Sequence, residues 1–245
     1  MADSRDIIIW GIHPVLEILH SAPRQVKALS IQSGSRHKLR EVIELAEKSG
    51  LTIDIVPKIN IPGEAGANHQ GVLAVIKENY LVDFEELVGK EPDLVVALDS
   101  ISDPHNLGAI IRSAAAAGAT GVLIPKDRAA QITGTVVKVA AGALAHLKIC
   151  RVTNLAESLA LLKDRGFWIF GAVGESSETI YEADFSGPTC LVIGSEGKGI
   201  RPLVRKQCDF LVKIPMKKTI NSLNASVAAG IILFEIVRKK EVGKK

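Results

Sequence analysis

From Leu94 onward the sequence carries six short, almost unbroken apolar runs: "LVVALD", "GVLIP", "LKICRV", "FWIFGAV", "CLVIGS" and "FLVKIP". A half-wet antiparallel strand alternates apolar and polar residues. Unbroken runs suit a parallel sheet covered by helices on both faces. Helical patterns separate the runs at 107–118, 133–143, 154–165, 201–207 and 222–239. This alternation predicts a doubly wound α/β domain over 93–245.

A smaller α/β unit is predicted over 1–78. "IIIWGI" reads as a strand, and "HPVLEILHS" as a helix with Val15, Leu16 and Leu19 on one face. "VKALSI" follows as a strand and "RHKLREVIELAEKSG" as an amphipathic helix closed by Gly50. "TIDIVP" is a strand stopped by proline, "NIPGEAGANHQ" is turn-rich, and "GVLAVI" is a last strand. The acidic, polar stretch 79–92 reads as a linker with one helical turn.

Composition removes several classes. A hydrophobic fraction of 47% supports a real core, yet no run reaches the roughly 18–20 apolar residues of a membrane span. "MADSRDIIIW" lacks the pattern of a secretory leader, so a cytoplasmic protein is expected. Cys150, Cys190 and Cys208 are odd in number and have no C-x-x-C spacing. The six histidines are scattered, so no metal site is expected. A net charge of +3 is mild, but Lys217, Lys218, Arg238, Lys239, Lys240, Lys244 and Lys245 outnumber Glu235 and Glu241 near the C-terminus. Such an edge favours phosphate-rich partners.

Ligands of open α/β sheets bind beyond the carboxyl ends of the strands. Three post-strand loops hold most of the otherwise unexplained polar and glycine residues: "SDPHN", "SEGKGI" and "MKKTINSLNAS". Glycines 194, 197 and 199 follow G-x-x-G-x-G, which is not the dinucleotide fingerprint, and no phosphate-loop pattern occurs. NAD and ATP are therefore unsupported. "GSEGKGI" instead offers a backbone free of Cβ atoms that a flat ligand can approach. Leu223, Val227, Ile231 and Phe234 form a core-facing stripe on the last helix, with Ser222, Asn224 and Ser226 off it at the helix start. In "SDPHNLGAIIRSAAAAGA", Leu107, Ile110, Ile111, Ala114 and Gly118 form the buried face. Asn106 reads as a candidate N-cap after an Asp103-Pro104 turn, and Arg112 lies off the buried face.

Together these stretches resemble the three motifs of the SpoU-type RNA 2′-O-ribose methyltransferases of the SPOUT superfamily. The motifs are "DSISDPHNLGAIIRSAAAAGA" (99–119), "LVIGSEGKGI" (191–200) and "VKIPMKKTINSLNASVAAGI" (212–231). "IIIWGIHPVLEIL" and "NHQGV" resemble the ribosomal-protein-like RNA-binding domain that precedes the catalytic domain in bacterial 23S rRNA guanosine-2′-O-methyltransferases.

The resemblance implies a parallel sheet with a deep trefoil knot, S-adenosylmethionine held by the knotted loops, and a homodimer acting on RNA without a metal. Gly194, Ser195, Gly199, Ile214 and Leu223 fall where the family contacts the methyl donor. Asn106, Arg112, Glu196, Ser222 and Asn224 fall where it keeps its polar residues. Arg112 is expected to bind a phosphate and a developing alkoxide, since a guanidinium is a poor base. Glu196 is expected to hold Asn106 or Arg112, or to orient the ribose. His69 and Gln70 are candidates for touching RNA. The expected substrate is a guanosine of 23S rRNA. A tRNA ribose methyltransferase is the main alternative, followed by a non-catalytic RNA-binding protein and a Rossmann-type oxidoreductase.

Overall fold

The computed structural model describes residues 6–61, 66, 68–77, 81–89, 93–217 and 222–242, which form two compact units. The first comprises residues 1–80 together with 132–145. Its elements are β1 (Asp6–Trp10), α1 (Ile12–Ser21), β2 (Val26–Gln32), a 3₁₀ turn (Ser33–Lys38), α2 (Arg40–Lys48), β3 (Ile53–Val56) and β4 (Val72–Lys77). The sheet order is β1-β4-β2-β3; β4 runs antiparallel to both neighbours and β3 parallel to β2. Each apolar run expected as a strand in this region is one. The core comes from Ile9, Val15, Leu19, Leu29, Ile31 and Val42, all nearly inaccessible. The reason is the pattern: α1 and α2 each present one apolar stripe and pack together.

The second unit comprises 81–131 and 146–245. Its strands are β5 (Leu94–Asp99), β6 (Gly121–Pro125), β7 (Lys148–Val152), β8 (Trp168–Ala172), β9 (Thr189–Gly194) and β10 (Phe210–Val212). All pair in parallel, in the order β10-β8-β9-β5-β6-β7. β5 and β6 are buried along their whole length, as their unbroken apolar sequences require. The described helices are α3 (Phe84–Val88), α4 (Pro104–Ala116), α6 (Leu155–Asp164), α7 (Pro202–Arg205) and α8 (Ala225–Val242). None among the described residues is long and apolar enough to cross a membrane.

Four expectations change. The helix expected at 133–143 is α5 (Gly134–Ala140), and it packs on β1 in the first unit instead of covering the large sheet. In the expected linker, Asp83 caps α3, whose Leu87 and Val88 are buried in the core of the second unit. Val227, Ile231 and Phe234 are exposed, and α8 turns Ala225, Ala229, Ile232, Leu233 and Ile236 inward instead. Among the described residues of the basic C-terminal edge, Lys217 is exposed and three others are paired inside the chain. Arg238 pairs with Glu235, Lys239 donates to the Tyr181 and Ala183 carbonyls, and Lys240 pairs with Asp93. Lys218, Lys244 and Lys245 lie outside the described residues.

Candidate active site

The loops after β5, β9 and β10 meet because the strands are parallel and their carboxyl ends share one edge. Asp99 ends β5 and is wholly buried. Its carboxylate accepts the Arg201 backbone N–H at 2.7 Å and the Arg201 Nε–H at 2.6 Å. The start of the first motif is thereby tied to the exit of the second. Ser100, the next residue, holds a positive φ of 65°, which turns the chain sharply off the strand.

After β9 the chain folds back on itself: Ser195 and Gly199 exchange both backbone hydrogen bonds, at 3.2 and 2.8 Å. Gly194 sits under this turn. A Cβ there would stand 2.2 Å from the Gly199 carbonyl carbon, closer than any side chain tolerates, so the crossing demands glycine. Beside it opens a cavity of about 500 Å³ lined by the loops after β8, β9 and β10 and by the first turns of α8. Glu175 and Arg205 close one side of its rim with an ion pair of 2.7 Å. A main-chain hydrogen bond, then the Arg205 guanidinium, holds the Glu175 carboxyl below the ordinary carboxylate range.

Next to the cavity three side chains close a ring. Asn106 Nδ2 donates to Glu196 Oε1 at 2.8 Å, and Asn224 Nδ2 donates to the same oxygen at 2.7 Å. Asn224 Nδ2 also donates to Asn106 Oδ1 at 2.8 Å. The Ala225 backbone N–H adds a third bond to Glu196 Oε1 at 3.3 Å. Asn224 Oδ1 meanwhile accepts the Ser226 and Val227 backbone N–H groups, so Asn224 caps α8 while bracing the ring. Both amide protons of Asn224 are committed. Among the described residues, Glu196 Oε2 and one amide proton of Asn106 carry no partner.

The profile of the SpoU rRNA Methylase family matches residues 93–234, and that of the RNA 2′-O ribose methyltransferase substrate-binding domain matches 8–81. The chain belongs to the SpoU rRNA methylase family. It is similar to the 23S rRNA (guanosine-2′-O-)-methyltransferase RlmB of Pseudomonas putida, with 41% identity covering 96% of this chain and 97% of that one. RlmB of Photobacterium profundum is 42% identical over 96% of this chain and 98% of its own. Among solved structures, the SpoU methyltransferase AviRb from Streptomyces viridochromogenes in complex with AdoMet superposes with a TM-score of 0.80. It is 27% identical and covers 97% of this chain and 91% of that chain.

This SpoU methylase is an S-adenosylmethionine-dependent RNA 2′-O-methyltransferase. The cavity fits the cofactor: Gly194, Ser195, Gly199, Ile214 and Leu223 all line it. Three of them are Gly or Ser, so main-chain groups stand open to a flat base and a polar tail. Ser222 and Glu196 line the cavity as well, and Glu196 is the one residue common to cavity and ring.

The expected polar residues of this SpoU methylase do not all converge. Asn106, Glu196 and Asn224 form the ring. Ser222 is exposed at the cavity and, among the described residues, makes no bond to them. Arg112 is exposed, lies roughly 120° around α4 from Asn106, and is not held by Glu196. Asn106 does not cap α4: Asp103 does, accepting the His105 N–H at 2.9 Å. Asn106 is instead inside the first turn and only 9% exposed. Gly118 is exposed past the end of α4. Lys218–Asn221 of the third motif lie outside the described residues. The sequence reading missed Asp99 and the Glu175–Arg205 pair. Asp99 carried a signal, as the one charge closing the run "LVVALD"; the rim pair, 30 residues apart, carried none.

Proposed function

We propose that this enzyme methylates the ribose 2′-OH of a guanosine in 23S rRNA, in the cytoplasm and as a homodimer. The observation that carries this reading is Glu196, shared between the cofactor cavity and the Asn106–Asn224 ring. The guanosine and the 23S rRNA come from the two RlmB relatives, which match nearly the whole chain at 41% and 42% identity.

S-adenosylmethionine in the cavity supplies a sulfonium methyl group open to in-line displacement. The protein's task is to hold an oxygen on that line, and positioning alone is worth on the order of 7–11 kcal/mol in favourable cases. Glu196 Oε2 accepts the ribose hydroxyl proton in a hydrogen bond, and the spare Asn106 N–H donates to the sugar. Asn224 keeps both side chains aligned. Ser222 contributes a hydroxyl from the cavity wall. Arg112, on another face of α4, is assigned the neighbouring phosphate of the RNA. It does not take the proton, because a guanidinium stays charged at any physiological pH. The proton passes to a substrate phosphate or to water.

The family's trefoil knot fits the tight passage of Gly194 against the Gly199–Ile200 backbone and the sheet order around β9. The homodimer is supported by Val227, Ile231 and Phe234, which α8 exposes at 49%, 38% and 51%. A helix stripe of this kind seeks an apolar partner. The first unit, with its matched substrate-binding region, docks RNA by shape and backbone. Incubating the purified chain with 23S rRNA and isotopically labelled S-adenosylmethionine tests the reading. Digestion should release 2′-O-methylguanosine; label found only in tRNA, or on a base, would reject it.

A further inference from the structure

The first unit holds a second concavity, a pocket of about 490 Å³ beside the turn that precedes β4. Ser35 and Lys38 of the 3₁₀ turn face Asn68, His69, Gln70 and Gly71 of the turn before β4, and Ile12 at the start of α1 and Gln32 at the end of β2 complete the lining. The two turns are pressed together: a Cβ on Gly71 would lie 2.2 Å from Ser35 Oγ, and Gly71 has a φ of +84°. Only glycine lets this turn approach so closely.

The hydrogen bonds decide what the pocket presents. Gln70 Oε1 accepts the Ile12 backbone N–H at 2.9 Å, so its carbonyl is spent on α1 and its amide NH₂ is left as a donor. The Gly71 N–H donates to His69 Nδ1 at 3.0 Å, which makes Nδ1 the acceptor and puts the ring proton on Nε2. Lys38 adds an ammonium, Ser35 a hydroxyl and Asn68 an amide. Among the described residues no Asp or Glu lines the pocket. Arg36 and Arg40, exposed and without an ion pair among the described residues, flank Lys38 in sequence. A donor-rich concavity with a fixed imidazole selects a small anion with several acceptor oxygens.

We infer that this pocket is a subsite for a backbone phosphodiester of the RNA substrate, with Lys38 and the His69 Nε2–H as its principal donors. The inference rests on the enzyme being an RNA methyltransferase. It gives the first unit a fixed point of register on the RNA, since phosphate contacts position a protein without reading sequence.

The test measures binding of full-length 23S rRNA transcript to the whole chain between about 50 and 200 mM salt. Lys38→Gln alters an exposed side chain and leaves the fold intact. His69→Asn keeps an acceptor for the Gly71 N–H and deletes the distal donor. Lys48→Gln, at the other end of α2, controls for diffuse charge. Lys38→Gln should raise Kd roughly 3- to 10-fold and lower the salt slope by about 0.7–0.9, the loss of one phosphate contact. His69→Asn should raise Kd with little change of slope, and Lys48→Gln should do neither. Wild-type affinity and slope in both pocket variants would overturn the subsite. Equal losses in Lys38→Gln and Lys48→Gln would overturn it too. So would inorganic phosphate shifting the His69 ring resonances while RNA affinity ignored both variants, which would mark a free-phosphate site. A wild-type chain that bound no RNA would instead overturn the methyltransferase reading itself.

Discussion

Replacing Glu196 by Gln separates the chemistry of the ring from its architecture. Glu196 Oε1 accepts bonds of 2.8 Å from Asn106, 2.7 Å from Asn224 and 3.3 Å from the Ala225 N–H. A glutamine oxygen can accept the same three, but without charge assistance, which roughly halves each bond. Two good bonds weakened from about 2 to about 1 kcal/mol would lose about 2 kcal/mol if buried. Glu196 is exposed, and solvent screening brings the loss nearer 1 kcal/mol. A chain of this size then melts about 2–4 °C lower. The catalytic loss is expected to be far larger. The free Oε2 becomes an NH₂ that repels the hydroxyl proton it should accept, and losing one such preorganised group typically costs about 10²–10³-fold in kcat. Single-turnover methyl transfer at saturating RNA, with cofactor affinity by calorimetry, reads both effects. Glu196→Gln should bind S-adenosylmethionine within a few-fold of wild type while kcat falls at least about 10²-fold. A kcat within about threefold of wild type, which is less than 1 kcal/mol, would refute the assignment of Oε2 to the ribose.

Four further outcomes follow from the same geometry. Arg112→Ala should abolish methyl transfer while cofactor affinity by calorimetry stays near wild type; a loss confined to cofactor binding would contradict its role at the substrate. Gly194→Ala should cost roughly 1–3 kcal/mol of stability and most cofactor affinity, because its Cβ meets the Gly199 backbone at 2.2 Å; light scattering-monitored melts with and without S-adenosylmethionine should show no ligand stabilisation. Phe234→Glu places a charge in the exposed α8 stripe; if that stripe forms the proposed homodimer, multi-angle light scattering should give a dimer for wild type and a monomer for the variant. Burial pushes the Cys208 thiol up to about 12 from its model-compound value of 9.0, and it raises Cys150 and Cys190 as well. Between about pH 9 and 12 the unfolded thiols lose protons that the folded ones keep, so stability falls as pH rises through that window. Folded protein should resist thiol reagents at pH 8, with all three cysteines reacting only after denaturation.

The large sheet was legible because parallel strands buried on both faces leave unbroken apolar runs, and β5 to β10 each coincide with one. What an apolar pattern cannot say is which neighbour covers it. The run at 133–143 reads as one more crossover helix, yet α5 packs on β1 of the first unit. α8 carries two competing stripes. Val227, Ile231 and Phe234 satisfy helical spacing as well as Ala229, Ile232 and Ile236 do, and period alone does not choose the inner one. Asp103 and Asn106 are both competent caps three residues apart, and the assignment to Asp103 needed the hydrogen bond to His105. Gly194, Ser195 and Ile214 were legible because they sit at or just after the ends of β9 and β10. Asp99 escaped because a lone Asp ending a strand reads as a turn residue until Arg201, 102 positions away, is seen to hold it.

This SpoU methylase transfers a methyl group to a ribose oxygen of 23S rRNA. Mapping 2′-O-methyl marks by mass spectrometry, in 23S rRNA treated with wild-type enzyme and with Glu196→Gln, tests it most directly. Wild type should form a single 2′-O-methylguanosine that the variant does not. Methyl groups on a base, or equal marks from both proteins, would contradict it.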